Sequence, residues 1–105
     1  MRVSASGRLE LKLPDSIVNP YLSHALIAAA VEDGLARGID PGPAPEPGVP
    51  GPERFTPLPL TLGDAIERFA TSAWVRGALG DDLTDLYAEF KRDEWARFCG
   101  AVTDW

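Results

Sequence analysis

Residues 40–59, DPGPAPEPGVPGPERFTPLP, hold eight of the ten prolines of this 105-residue chain. Proline has no backbone N–H and locks φ, so this stretch belongs to neither a helix interior nor a central strand. It reads as an extended loop, partly polyproline II, with no regular structure expected over 41–57. A loop of that length is unusual inside so small a domain. It divides the chain into a segment at 1–39, the loop at 40–60, and a segment at 61–105. The two flanking segments are expected to meet through something other than each other.

In the first segment, residues 8–13 alternate strictly. Leu9, Leu11 and Leu13 take one face, and Arg8, Glu10 and Lys12 take the other, which is the period of a half-covered strand. Pro14 and Asp15 end it. Asn19 is a good N-cap and Pro20 suits a first helical position, so a helix is predicted from Pro20 to about Arg37, stopped by Gly38. Tyr21–Val31 is apolar or small almost all round, which predicts a helix buried on several sides. Its apolar run, Ala25–Val31, is far too short to span a bilayer.

In the second segment, Thr61 and Asp64 have the spacing of a capping box. Leu62, Ala65, Ile66 and Phe69 form one stripe of the helix that follows. Gly77 and Gly80 limit Trp74–Leu79 to a short helix. Asp81 is expected to cap a long last helix in which Leu83, Leu86, Tyr87, Phe90, Phe98 and Val102 recur at helical spacing and Asp93 can pair with Arg97. The predicted class is therefore α+β: one N-terminal strand followed mainly by α-helices, with the proline-rich loop between them.

Charge excludes some functions. The net charge of −6 does not favour nucleic acid or anionic lipid as a partner. Within residues 1–12, however, Arg2, Arg8 and Lys12 stand against Glu10 alone, a net of +2. The single cysteine, Cys99, rules out an internal disulfide, and no signal segment is apparent, so a reducing cytoplasm is the expected location.

The charged strand face is the main candidate for chemistry. Solvation is the common fate of such a face. Its composition also admits a binding role, because guanidinium and ammonium groups suit phosphate and carboxylate, and a carboxylate between them suits a hard cation. Other residues read more plainly. His24 is expected to pack or hydrogen-bond within its helix, since no ligand partner stands at metal spacing. Cys99 is expected in the core, Asp81 and Asp82 favour a helix start, and Trp74, Trp95 and Trp105 are packing anchors or a partner surface.

At RLELKLPDSIVNPYL the chain resembles the end of the catalytic domain of glutamine synthetases, which shows an Arg-x-Glu-x-Arg strand, a Pro-Asp turn and an Asn-Pro-Tyr-Leu helix start. GLARGIDPG, LPLTLGDAIERF and ALGDDLTDLYAEFKRDEW are similar, in order, to the family's following segments. The details look closest to the type III, γ-glutamylmethylamide synthetase-like branch.

The resemblance implies an ATP-dependent glutamate–ammonia or glutamate–amine ligase working through γ-glutamyl phosphate. It implies that Glu10 binds the metal, Mg²⁺ or Mn²⁺, beside the ATP phosphates. Arg8 and Arg2 match arginines of the nucleotide and transferred-phosphate sites. Lys12 stands where the family has an arginine facing substrate glutamate, and it keeps the charge without the bidentate fork. The family's catalytic domain is several times longer, with its other metal ligands upstream. The chain is thus expected to be a C-terminal piece that is inactive alone, self-associates, or joins the missing upstream part or a full-length synthetase. A non-catalytic module docking on a synthetase, or a truncated gene product, are the competing expectations.

Overall fold

The computed structural model describes residues 2–3, by their backbone, together with residues 6–43 and 56–102. Two strands and four helices follow one another: β1 (Arg2–Val3), β2 (Leu9–Glu10), α1 (Pro20–Arg37), α2 (Leu62–Thr71), α3 (Ala73–Leu79) and α4 (Asp81–Gly100). The chain divides into two units, Met1–Arg37 and Gly38–Trp105. The α+β class read from the sequence holds.

In the first unit the strand is shorter than its alternation predicts, and its partner comes from the same chain. β1 and β2 pair antiparallel, with Arg2 opposite Glu10 and Val3 opposite Leu9. Gly7, at φ +75°, makes the turn before β2. A β-carbon is disfavoured in that left-handed region. No described residue pairs with Leu11–Leu13, and Leu9, Leu11 and Leu13 stay exposed.

The helix α1 begins and ends where the sequence predicts. The Asn19 Oδ1 accepts hydrogen bonds from the N–H groups of Tyr21 (3.0 Å) and Leu22 (3.3 Å), and Gly38 at φ +57° follows the last turn. Its predicted burial does not hold, since no α1 residue is buried. Among the described residues, the other regular structure in its unit is a two-residue ladder, which does not pack on α1. His24 is accordingly exposed, contrary to the packing role expected of it.

The second unit is helical. Thr61 caps α2 as its spacing predicts: its Oγ1 accepts from the Asp64 N–H (3.1 Å) and donates to the Asp64 carboxylate (2.8 Å). α2 and α4 pack on each other, and α3 packs on both. The buried set is Ile66 and Ala70 from α2 with Ala88 and Thr84 from α4, flanked by Phe69 and Trp95. Thr84 is fully buried, and its hydroxyl donates to the Gly80 carbonyl at 2.7 Å, so no polar group is left unsatisfied there.

Two expectations for α4 are corrected. Its N-cap is Gly80, at φ +82°, and Asp81 is the first helical residue. The inward face is also not the predicted stripe. Thr84 and Ala88 turn inward, while Leu86 is 67% exposed and Phe98 70%. Small side chains fill the α2–α4 contact, and the larger Phe69 and Trp95 pack at its flanks. Cys99 is exposed rather than core. Of the tryptophans, Trp95 does pack on the core, whereas Trp105 lies outside the described residues. Most of the predicted irregular stretch 41–57 also lies outside them. Pro41–Pro43 and residues 56–57 carry neither helix nor strand.

Candidate functional site

Of the predicted site residues, Arg2 and Glu10 lie in the β1–β2 ladder, and Arg8 and Lys12 lie outside it, on either side of β2 in sequence. The register sets the Arg2 backbone directly across from that of Glu10. Glu10 is half-buried, and Arg8 and Lys12 on either side of it are exposed. The Arg8 Nε donates to the Ser6 hydroxyl at 2.9 Å, which leans the guanidinium over the turn. Downstream, the Asp15 carboxylate accepts from the Ile17 N–H at 2.9 Å, and its carbonyl accepts from the Val18 N–H at 3.2 Å. This side-chain turn carries the chain from the charged residues to the Asn19 cap. Glu10 is thus flanked in sequence by two exposed cations, Arg8 and Lys12.

A divalent ion asks for more. Among the described residues no three His, Cys, Asp or Glu side chains converge. Magnesium takes about six oxygen ligands, and Glu10 offers one carboxylate, so these residues do not by themselves hold the metal.

The second unit contains charged groups that the sequence did not flag. Arg76, from α3, donates to the Ala70 carbonyl (2.9 Å) and Asp81 (2.8 Å), and its remaining nitrogen binds Asp85. One guanidinium thus ties the end of α2 to the start of α4. Its hydrogen bond holds the Asp85 carboxyl below its ordinary range. Glu67 is likewise lowered by its hydrogen bond from Arg92, at 2.9 Å. These pairings cross helix junctions, so no helical spacing betrays them. The Asp93–Arg97 pair, which lies within one helix, forms as predicted at 2.7 Å.

Beside these pairs, α2 and α4 leave a groove of about 180 Å³ lined by Leu62, Ile66, Phe69 and Tyr87, with Lys91 at its edge. Phe69 and Tyr87 meet at 5.4 Å in a tilted geometry. Lys91 binds Glu94 at 2.7 Å, which raises its pKa, and lies 5.6 Å from the Tyr87 ring centre. The ammonium is therefore already matched to a carboxylate. No helix among the described residues is long and apolar enough to cross a membrane.

The family described as "Glutamine synthetase, catalytic domain" matches residues 1–105. The chain is 35% identical over 109 residues to a glutamine synthetase of Rhizobium leguminosarum bv. phaseoli, covering 100% of this chain and 25% of that protein. It is 36% identical over 120 residues to one from Rhizobium meliloti, with 100% and 25% covered. Against one from Mycolicibacterium smegmatis it is 37% identical over 106 residues, with 94% and 24% covered. No solved structure matches. The chain belongs to the glutamine synthetase catalytic-domain family, and it spans about a quarter of the length of these curated relatives.

Proposed function

We propose that this chain supplies the Arg2, Arg8, Glu10 and Lys12 corner of a glutamate–ammonia ligase site, as the C-terminal part of the catalytic domain. The observation that carries the reading is the family match over the whole chain, together with the register that sets Arg2 opposite Glu10. In this reading Arg2 and Arg8 receive ATP phosphates, Lys12 the substrate carboxylate, and Glu10 is one oxygen ligand of Mg²⁺ or Mn²⁺. A divalent ion held in part by Glu10 would supply positive charge against the phosphates.

The reaction is phosphoryl transfer followed by amide formation. A γ-carboxylate oxygen of glutamate bonds to the terminal phosphorus of ATP, and the bond to ADP breaks. Ammonia then attacks the γ-glutamyl phosphate and expels phosphate, with its proton lost to solvent or a base. The protein's cations act by position: they hold two anions within reach of each other, against their mutual repulsion. Lys12, a point charge in place of a fork, orients a carboxylate less strictly. Exposed Leu9 and Leu13 need covering by further protein, which supports an assembly with the rest of a synthetase or with other copies. An acidic chain with one cysteine suits a cytoplasmic enzyme.

The test co-expresses this chain with the Rhizobium meliloti synthetase lacking its matching quarter. The chain alone is expected to make no γ-glutamyl product from glutamate, ATP, Mg²⁺ and ammonia or methylamine. The pair is expected to do so, and Glu10→Gln to remove most of that activity. Turnover by the chain alone, or a pair indifferent to Glu10→Gln, refutes the assignment. Indifference would favour the second reading, a non-catalytic module, for which the exposed apolar residues of α4 speak.

A further inference from the structure

Arg8 stands directly before β2, and its long side chain is tethered to the turn. The Arg8 Nε donates to the Ser6 hydroxyl at 2.9 Å. Only Gly7 separates the two residues, and its φ of +75° lies in the left-handed region, which bends the chain between them. Ser6 and Arg8 are both exposed, so this corner holds the guanidinium without burying it. A free arginine side chain has many rotamers and gives them up when it grips an anion. One that is already oriented loses less on binding.

We infer that Ser6 is a positioning residue for the nucleotide: its hydroxyl holds the Arg8 guanidinium in one direction, so that it meets the phosphates of ATP already oriented. The inference rests on the proposed function for the ligand of Arg8 and adds a residue that the proposed function does not use. The guanidinium is planar, so fixing the direction of its Nε–H fixes the direction of its terminal nitrogens too. Serine is a stiff anchor, with a single χ angle. It is also neutral. The helix arginines Arg37, Arg76, Arg92 and Arg97 are bonded to carboxylates, which offset their charge. A hydroxyl orients a guanidinium without offsetting the charge that a phosphate needs.

The test has two arms. In the isotopically labelled chain, the Arg8 Nε–H signal in NMR, assigned by its loss in Arg8→Lys, is expected to exchange with water more slowly than in Ser6→Ala. In the same co-expressed pair, Ser6→Ala is expected to raise the KM for ATP about threefold to tenfold, the scale of one hydrogen bond from a charged donor. Its kcat and its KM for glutamate are expected to stay within about twofold, because the lost interaction is made equally before and during phosphoryl transfer. Ser6→Thr, which keeps the hydroxyl, is expected to restore the KM for ATP. In an Arg8→Lys background, which keeps the charge and removes the Nε–H, Ser6→Ala is expected to add nothing. Half-saturation by Mg²⁺ at saturating ATP is expected not to move, since a ladder displaced as a whole would carry Glu10 with it. Equal Nε–H exchange in wild type and Ser6→Ala overturns the inference. An active pair whose KM for ATP ignores Ser6→Ala overturns it and leaves the proposed function standing. So does an equal effect of Ser6→Ala in the Arg8→Lys background, failure of Ser6→Thr to restore, or a shifted Mg²⁺ half-saturation. A wild-type pair without activity overturns the proposed function and the inference with it.

Discussion

Gly63 lies in the first turn of α2, where a β-carbon would come within 2.8 Å of the Trp95 Nε1 and 3.1 Å of its Cε2. Ordinary contact begins at 3.4 Å, so in Gly63→Ala the indole must retreat by about 0.6 Å. It cannot do so freely. Its ring stacks on Phe98 at 5.5 Å and packs against the Ile66–Ala70–Ala88 cluster. Alanine in place of glycine favours a helix by about 0.5–1 kcal/mol, and by less in a first turn. Overpacking costs about 1–3 kcal/mol. The overlap wins, and Gly63→Ala is expected to destabilise the helical unit by about 1 kcal/mol, a loss of about 4–8 °C for a unit this small.

Gly77, in α3, is the control. Nothing lies within 4 Å of its β-carbon position, so Gly77→Ala shows only the propensity gain and raises the midpoint. Thermal and urea unfolding followed by circular dichroism, with tryptophan emission as a second probe, measure both. In a Trp95→Phe background, which removes the clashing indole nitrogen, most of the Gly63→Ala penalty should vanish. If Gly63→Ala instead stabilises as much as Gly77→Ala, the close approach of α2 to Trp95 is wrong.

Two further outcomes are expected. Thr61→Ala removes the cap of α2 and should cost about 1 kcal/mol, read as a lower urea midpoint, whereas Thr61→Ser should recover most of it. Acid should also weaken the helical unit. Glu67 and Asp85 have folded pKa values below their ordinary 4.5 and 3.8. Their contribution is therefore complete above the ordinary values and is lost as pH falls through the lowered ones. Helical signal titrated from pH 6 to 2 should show this loss, and Asp85→Asn should flatten it; a curve unchanged by Asp85→Asn would refute the role of the Arg76–Asp85 pair.

Helix limits were legible in the residues themselves, because capping is a transaction between near neighbours. Asn19 before Pro20, Gly38 after Arg37, and Thr61 with Asp64 each act within three or four positions. The family was legible too, because its motifs are short runs of neighbouring residues. Which face of α4 turns inward was not. The apolar stripe at Leu83, Leu86 and Phe90 is the stronger signal by hydrophobicity, yet Thr84 and Ala88 are the residues buried. That choice depends on how near α2 comes, and distance between helices is a property of the packed pair. The Arg76 clasp was hidden for the same reason, since its partners stand across the Gly80 turn. Burial of α1 does not follow from its apolar residues, because an apolar sequence states what a helix needs covered, while only the tertiary structure shows whether this chain provides the cover.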